Sequence, residues 1–236
     1  ANRFTLQNTN GGRFTAPTSN QGQLQVTAQQ INFGATGTTS SNIAGFDQVA
    51  LNATQQIGLS GKGQVNINAN SVTMQSAGIT AETGTQYQLT TTGALQTTGN
   101  GQTLSAQASS GIGASVGLTA QSMQVGGSVV LQAGNLNATA TSGSLQVSDN
   151  ASLSVKAATV NFDARTQAST DAGNMNLTAT NGNVSIGAQA SLDLSAASAK
   201  SDAGKLTVQA NKGQFLLAND AKLTATATQG DRGQFA

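Results

Sequence analysis

Gly134-Asn-Leu136-Asn-Ala138, Gly143-Ser-Leu145-Gln-Val147 and Ala151-Ser-Leu153-Ser-Val155 form one sentence of this chain, and the chain repeats it. The second copy is Gly173-Asn-Met175-Asn-Leu177, Gly182-Asn-Val184-Ser-Ile186 and Ala190-Ser-Leu192-Asp-Leu194. The third is Gly204-Lys-Leu206-Thr-Val208, Gly213-Gln-Phe215-Leu-Leu217 and Ala221-Lys-Leu223-Thr-Ala225. In each copy nine residues separate the two Gly, and ten separate the second Gly from the Leu of the third segment. Asp171-Ala-Gly173 and Asp202-Ala-Gly204 open two copies, and Asp231-Arg-Gly233-Gln-Phe235 has the form of a fourth opening. Within each segment apolar side chains alternate with Asn, Ser, Thr or Gln, so one face is apolar and the other polar. Short alternating segments punctuated by Gly, Asn and Asp predict strands joined by tight turns. Three such strands cannot bury an apolar face alone. Stacked on identical neighbours they can, and the fold expected is an all-β solenoid.

The rest of the chain repeats the formula less strictly. Asn2-Arg-Phe4-Thr-Leu6 and Gly12-Arg-Phe14-Thr-Ala16 are two alternating strands in an N-terminal region, 1–21. Irregular coils are expected over 22–127, beginning with Gly22-Gln-Leu24-Gln-Val26-Thr-Ala28 and Ile31-Asn-Phe33. The Gly, Thr and Ser of Gly34 to Asn42 predict an exposed surface loop, near 34–45. Strands resume at Val49, Ile57, Val65, Val72, Tyr87 and Leu95, with an offset of seven or eight residues between paired strands (Leu24 to Ile31, Val49 to Ile57). From Thr97 to Gly127 small residues dominate, which predicts narrower coils or a looser stretch. The regular repeats occupy 128–236.

Composition agrees with a stacked-strand chain. Only 8% of the 236 residues are charged and 3% aromatic, too few for an ordinary globular surface and core. Asn, Gln, Ser and Thr carry the polar surface and can pair in ladders without repulsion. Pro17 is the single proline, as expected where most backbone N–H groups are needed for ladders. Absent cysteine excludes a disulfide framework, thiolate metal sites and a cysteine nucleophile, and histidine is absent too. No apolar run approaches the length of a membrane-spanning helix. With a net charge of +1 and charges scattered singly, neither a basic stripe nor an aromatic platform supports nucleic-acid binding. The missing initiator Met and the shortened fourth copy are read as marks of a piece of something longer.

The candidate chemical residues are few. The carboxylates are Asp47, Glu82, Asp149, Asp163, Asp171, Asp193, Asp202, Asp220 and Asp231. Asp171, Asp202 and Asp231 recur at one repeat phase, so stacking would align them. They are read as turn-forming Asp rather than a calcium site, because calcium wants six or more oxygens. Asp163 with Arg165, and Lys200 with Asp202, are the close opposite charges away from the Asp231-Arg232 pair. A glycan-cleaving site would need several carboxylates in one groove, and surface ion pairs explain both motifs as well. The chain is therefore expected to be no enzyme, with no catalytic residue, cofactor or metal. Asn-x-Ser/Thr triplets begin at Asn52, Asn137, Asn150, Asn176 and Asn183, as chance allows in so Asn-rich a chain.

The recurring Gly-x-Leu-x-Val/Leu-x-Ala formula, as in Gly22 to Ala28, Gly173 to Ala179 and Gly204 to Ala210, resembles the filamentous haemagglutinin family of Gram-negative exoproteins. The resemblance runs from about Gly22 to the end. It implies a right-handed parallel β-helix, exported by two-partner secretion through an outer-membrane barrel transporter. The implied location is the cell surface, or the secreted fraction, of a Gram-negative bacterium. The family's secretion-domain motifs, Asn-Pro-Asn-Leu and Asn-Pro-Asn-Gly, do not occur here, which points to shaft or repeat region. Coils of roughly 20 to 30 residues rising about 4.8 Å each would give about eight to eleven coils and a rod of about 40 to 50 Å. The expected function is a β-helical adhesin shaft for attachment or biofilm contacts. Its partners would be neighbouring coils of a longer parent chain or other copies of itself, with glycans or a host or matrix surface outside. The alternatives are a self-assembling extracellular fibre subunit and, further off, a polysaccharide-active β-helix enzyme.

Overall fold

The computed structural model describes residues 2–8, 22–104, 111–161 and 167–236, and they are all-β, with no helix. Twenty strands join in one parallel sheet, and two more form a separate antiparallel pair. The pairings resolve into three ladders. In the first, Leu24 pairs with Val49, Val49 with Val72, Val72 with Leu95 and Leu95 with Met123. It continues through Leu145 and Val184 to Phe215. The second runs Phe4, Ile31, Ile57, Ile79, Val129, Leu153, Leu192, Leu223. The third runs Ser41, Val65, Leu89, Leu118, Ala138, Leu177, Val208. It ends where Leu206 meets Phe235.

Every rung of the sheet is parallel, so a strand pairs not with its neighbour in sequence but with its equivalent one repeat away. Segments seven or eight residues apart, such as Leu24 and Ile31, lie in different ladders, which corrects the expected pairing offset. The true offsets are a whole repeat: Asn137 meets Asn176 across 39 residues, and Asn183 meets Gln214 across 31. Like residues therefore sit on like residues. In Asn135–Ala140, Leu136, Ala138 and Ala140 are buried while Asn135, Asn137 and Thr139 face outward. One continuous core of such inward residues extends from Ala28 to Leu206. At roughly 1.5–3 kcal/mol for each fully buried large aliphatic side chain, this core is the main stabilising term.

The Gly of each repeat opening does something the sequence pattern does not reveal. Gly134, Gly173 and Gly204 stack, and a Cβ built on Gly173 would lie 1.6 Å from the Gly134 carbonyl oxygen. One on Gly204 would lie 1.9 Å from that of Gly173. These residues are Gly because the backbones of successive repeats touch there, more than because a turn needs them.

Three departures from expectation are local. The stretch expected as a surface loop near 34–45 is strand: Gly22–Ile43 is continuous and keeps its parallel partners from Thr39 to Ile43. The extra residues are absorbed as a register shift between Ala35 and Thr39. The weak region 97–127 holds regular strands at Ala94–Gly99, Ser115–Ala120 and Met123–Val125, and among the described residues the second ladder has no strand there. Gly78–Ala81 pairs directly with Ser128–Val130 instead. Asn100 Nδ2 donates to the carbonyls of Ala53 (2.9 Å) and Thr54 (3.0 Å), and Leu104 lies against Gly78. Thr159–Asn161 and Gln167–Ser169 form the antiparallel pair, an insertion that makes one repeat longer than the next. The expected strand Gly12 to Ala16 lies outside the described residues.

Candidate binding surface

Among the described residues the carboxylates are dispersed, and four of them, Asp47, Asp149, Asp171 and Asp202, bond across to the next repeat, whereas Asp193 caps a local turn. Asp171 Oδ1 accepts from the backbone N–H of Asp202 (2.9 Å), and Asp202 Oδ1 accepts from that of Asp231 (2.7 Å). The expected alignment of these three is present as a hydrogen-bonded column. Asp149 Oδ1 accepts from Ala188 N–H (2.9 Å), Asp193 from Ser195 N–H (3.0 Å), and Asp47 from the amide of Asn70. Among the described residues no three carboxylates gather at one point. Asp202 turns to the column, and the backbone N–H of its expected partner Lys200 bonds Ser198 Oγ (3.4 Å). Asp163 and Arg165 lie outside the described residues.

The outer faces are amide and hydroxyl ladders. Asn176 Nδ2 donates to Asn137 Oδ1 (2.6 Å), Asn174 Nδ2 to Asn135 Oδ1 (3.2 Å), and Asn66 Nδ2 to Asn42 Oδ1 (3.1 Å). Of the Asn-x-Ser/Thr triplets, Asn137, Asn176 and Asn183 are thus engaged between repeats, since Asn183 Oδ1 accepts from Gln214 N–H (2.8 Å). Asn150 is exposed at a corner with φ of 57°.

Gly117 and Gly58, both at outward strand positions, leave depressions in these ladders. Gly117 lies between Gln88 and Asn137, and Gln88 folds over it to donate to Thr119 Oγ1 (2.9 Å). The depression there holds about 200 Å³. Gly58 lies between Asn32 and Thr80 over a smaller cavity of about 120 Å³, walled by Gln56, Ser60 and Glu82. Sequence reasoning passed over both, although a Gly inside an alternating strand marks a close approach or a site.

Neither a protein-family model, a curated protein nor a solved structure matches the chain. Among the described residues no helix is long and apolar enough to cross a membrane. What the surface offers chemically is neutral hydrogen bonding spread over flat ladders, with notches at the two outward glycines.

Tyr87 and Thr91, on one strand, each bury an unpaired hydroxyl. Tyr87 is 3% exposed among Val and Leu, and its phenolic oxygen is buried without a partner. Gly63, its rung partner, leaves room for the ring. Burial pushes the phenol up to about 12.

The C-terminal end is the other unusual surface. Among the described residues Leu216, Leu217, Leu223 and Phe235 are the large apolar side chains left exposed, and the Phe215 and Phe235 rings meet at 5.8 Å. Phe215–Leu217 and Lys222–Thr224 each have a parallel partner on one side only.

Proposed function

We propose that this chain is a shaft: a right-handed parallel β-helix of about eight coils, serving as part of a bacterial surface adhesin of the kind it resembles in sequence. The observation that carries the reading is the uninterrupted core from Ala28 to Leu206, enclosed by outward Asn, Gln, Ser and Thr. Right-handedness follows from the strong chiral preference of parallel crossover connections. Eight rungs in a ladder, at roughly 4.8 Å each, give a rod of about 40 Å. A neutral face of this kind suits many weak contacts with glycans, matrix or other rods. On this reading the protein is no enzyme: Asp47, Asp149, Asp171 and Asp202 spend their carboxylates on bonds between repeats. Two-partner export to the Gram-negative cell surface, through an outer-membrane transporter, belongs to the same proposal and rests on the sequence resemblance.

A second reading is a self-assembling fibre subunit. It is favoured by the exposed Leu216, Leu217, Leu223 and Phe235 beside strands with one unpaired edge. Electron microscopy of the purified chain across a range of concentrations separates the two. Discrete rods that stay discrete support the shaft. Filaments that lengthen with concentration and disperse on Leu217→Lys with Phe235→Lys support the fibre. Particles with no rod shape at any concentration would refute both.

A further inference from the structure

Asn-Gly is a dipeptide prone to rearrange its own backbone, because a Gly amide nitrogen has no side chain beside it to shield the preceding carboxamide from attack. The chain contains three: Asn10-Gly11, Asn100-Gly101 and Asn181-Gly182. The first lies outside the described residues. The other two are held in opposite ways, and the fold makes the difference.

Asn100 is pinned at both ends of its amide. Nδ2 donates to the carbonyls of Ala53 (2.9 Å) and Thr54 (3.0 Å), and Oδ1 accepts from the backbone N–H of Gln102 (3.0 Å). Expelling that Nδ2 forfeits two hydrogen bonds and strips both carbonyls of a donor. Asn181 lies in the bend between the strands Met175–Ala179 and Val184–Ile186, and it is exposed. One hydrogen bond holds its side chain, from Nδ2 to the Thr141 carbonyl (3.1 Å), at the surface where water can replace it. Among the described residues the Gly182 N–H has no acceptor, whereas Gly143, at the same phase of the repeat before, donates to the Gln121 carbonyl (2.8 Å). Nucleophile and target are both lightly held at this one corner.

We infer that Asn181-Gly182 is a site of self-modification, at which the chain converts its own asparagine to an aspartyl or isoaspartyl residue with water as co-reactant. The Gly182 nitrogen gives up its proton to base and attacks Cγ of Asn181. A Cγ–N bond forms, the Cγ–Nδ2 bond breaks, and Nδ2 leaves as ammonia. Water then opens the five-membered imide. Opening at Cγ restores the ordinary backbone with a carboxylate in place of the carboxamide. Opening at the main-chain carbonyl routes the backbone through Cγ and lengthens it by one carbon. That lengthening falls where successive repeats touch through their backbones: a Cβ on Gly182 would lie 2.6 Å from the carbonyl carbon of Gly143 and from the nitrogen of Ser144. The isoaspartyl form therefore loosens the bonds from Asn183 N–H to Ser144 Oγ (3.1 Å) and from Gln214 N–H to Asn183 Oδ1 (2.8 Å). The corner acts as a clock that weakens the stack with age, whether or not the chain is a shaft.

The test is peptide mapping by mass spectrometry on the intact chain, aged for weeks at physiological temperature in mildly acidic and mildly alkaline buffer, with a parallel sample in urea. In the folded chain Asn181 should convert about tenfold or more faster than Asn100, which must give up further hydrogen bonds, and faster in the alkaline buffer. In urea the two rates should converge. Asn181→Ser, which installs the residue that Ser142 supplies at this phase, should abolish the change in that peptide. The aged wild-type chain should unfold at lower urea than fresh chain, and the aged Asn181→Ser variant should not. Equal rates in the folded chain, or a faster Asn100, would overturn the inference. A ratio that persists in urea would overturn it as well, by assigning the difference to neighbouring sequence and not to the fold.

Discussion

Replacing Gly173 by Ala tests whether backbone contact between repeats, rather than turn geometry, dictates the repeated Gly. The added Cβ would lie 1.6 Å from the Gly134 oxygen, 2.5 Å from its carbonyl carbon and 2.8 Å from its nitrogen. No side-chain rotation relieves this, because all three neighbours are backbone. The repeats must part locally by more than an ångström, which stretches the ladder bond from Leu136 N–H to the Asn174 carbonyl, now 2.9 Å. The bond from Gly173 N–H to the Val155 carbonyl, 2.8 Å, is strained with it. Two lost backbone bonds cost about 1–3 kcal/mol, and disturbed packing adds about 1–3 kcal/mol. The smaller conformational freedom of unfolded Ala returns about 0.4–1 kcal/mol. The net expectation is destabilisation of about 1–5 kcal/mol, centred near about 3 kcal/mol. Gly84→Ala is the control: φ is +68° with nothing within 4 Å, so only left-handed strain of about 1–2 kcal/mol applies. Urea unfolding followed by far-ultraviolet circular dichroism reads both. With a slope of about 2 kcal/mol per molar, the Gly173→Ala midpoint should fall by about 1–2 M for a loss near about 3 kcal/mol. A Gly173→Ala midpoint equal to wild type, or above that of Gly84→Ala, would refute the close-contact account.

Tyr87 is the sole tyrosine, so absorbance near 295 nm follows it alone. Its titration midpoint should lie near 12 rather than 10. Between those values the unfolded phenol ionises while the folded one stays protonated, so stability is intact below pH 10 and falls as pH rises, by about 1.4 kcal/mol per unit for this group. Tyr87→Phe should remove that component of the slope and at neutral pH leave stability equal or about 1 kcal/mol higher, since an unpartnered hydroxyl is removed. Leu153, fully buried in the second ladder, should cost about 2–5 kcal/mol on replacement by Ala. Leu216, 46% exposed, should cost under about 0.5 kcal/mol by the same measurement. Equal losses at the two positions would contradict the burial pattern.

Strand identity and facing were legible in the sequence because alternation is a local property: Leu136, Leu145 and Leu153 announce themselves as inward by their neighbours alone. The fixed distance from Gly134 to Gly143 likewise announced three strands per repeat in the regular half. The Asp171, Asp202 and Asp231 column was legible too, since equal repeat phase becomes vertical alignment once repeats stack. The chain alone therefore determined an all-β stack of short strands and which side of each is apolar. Pairing was decided only by tertiary structure, because a strand's partner depends on how many residues the intervening corners consume. That is why Gly34 to Ile43 joined a ladder despite its loop-like composition, and why Gly78–Ala81 skipped to Ser128–Val130. The Gly58 notch is of the same kind. A missing side chain becomes a cavity, and Asn32 becomes an unpaired donor, only when two distant segments are set one above the other at the spacing of a hydrogen-bonded ladder.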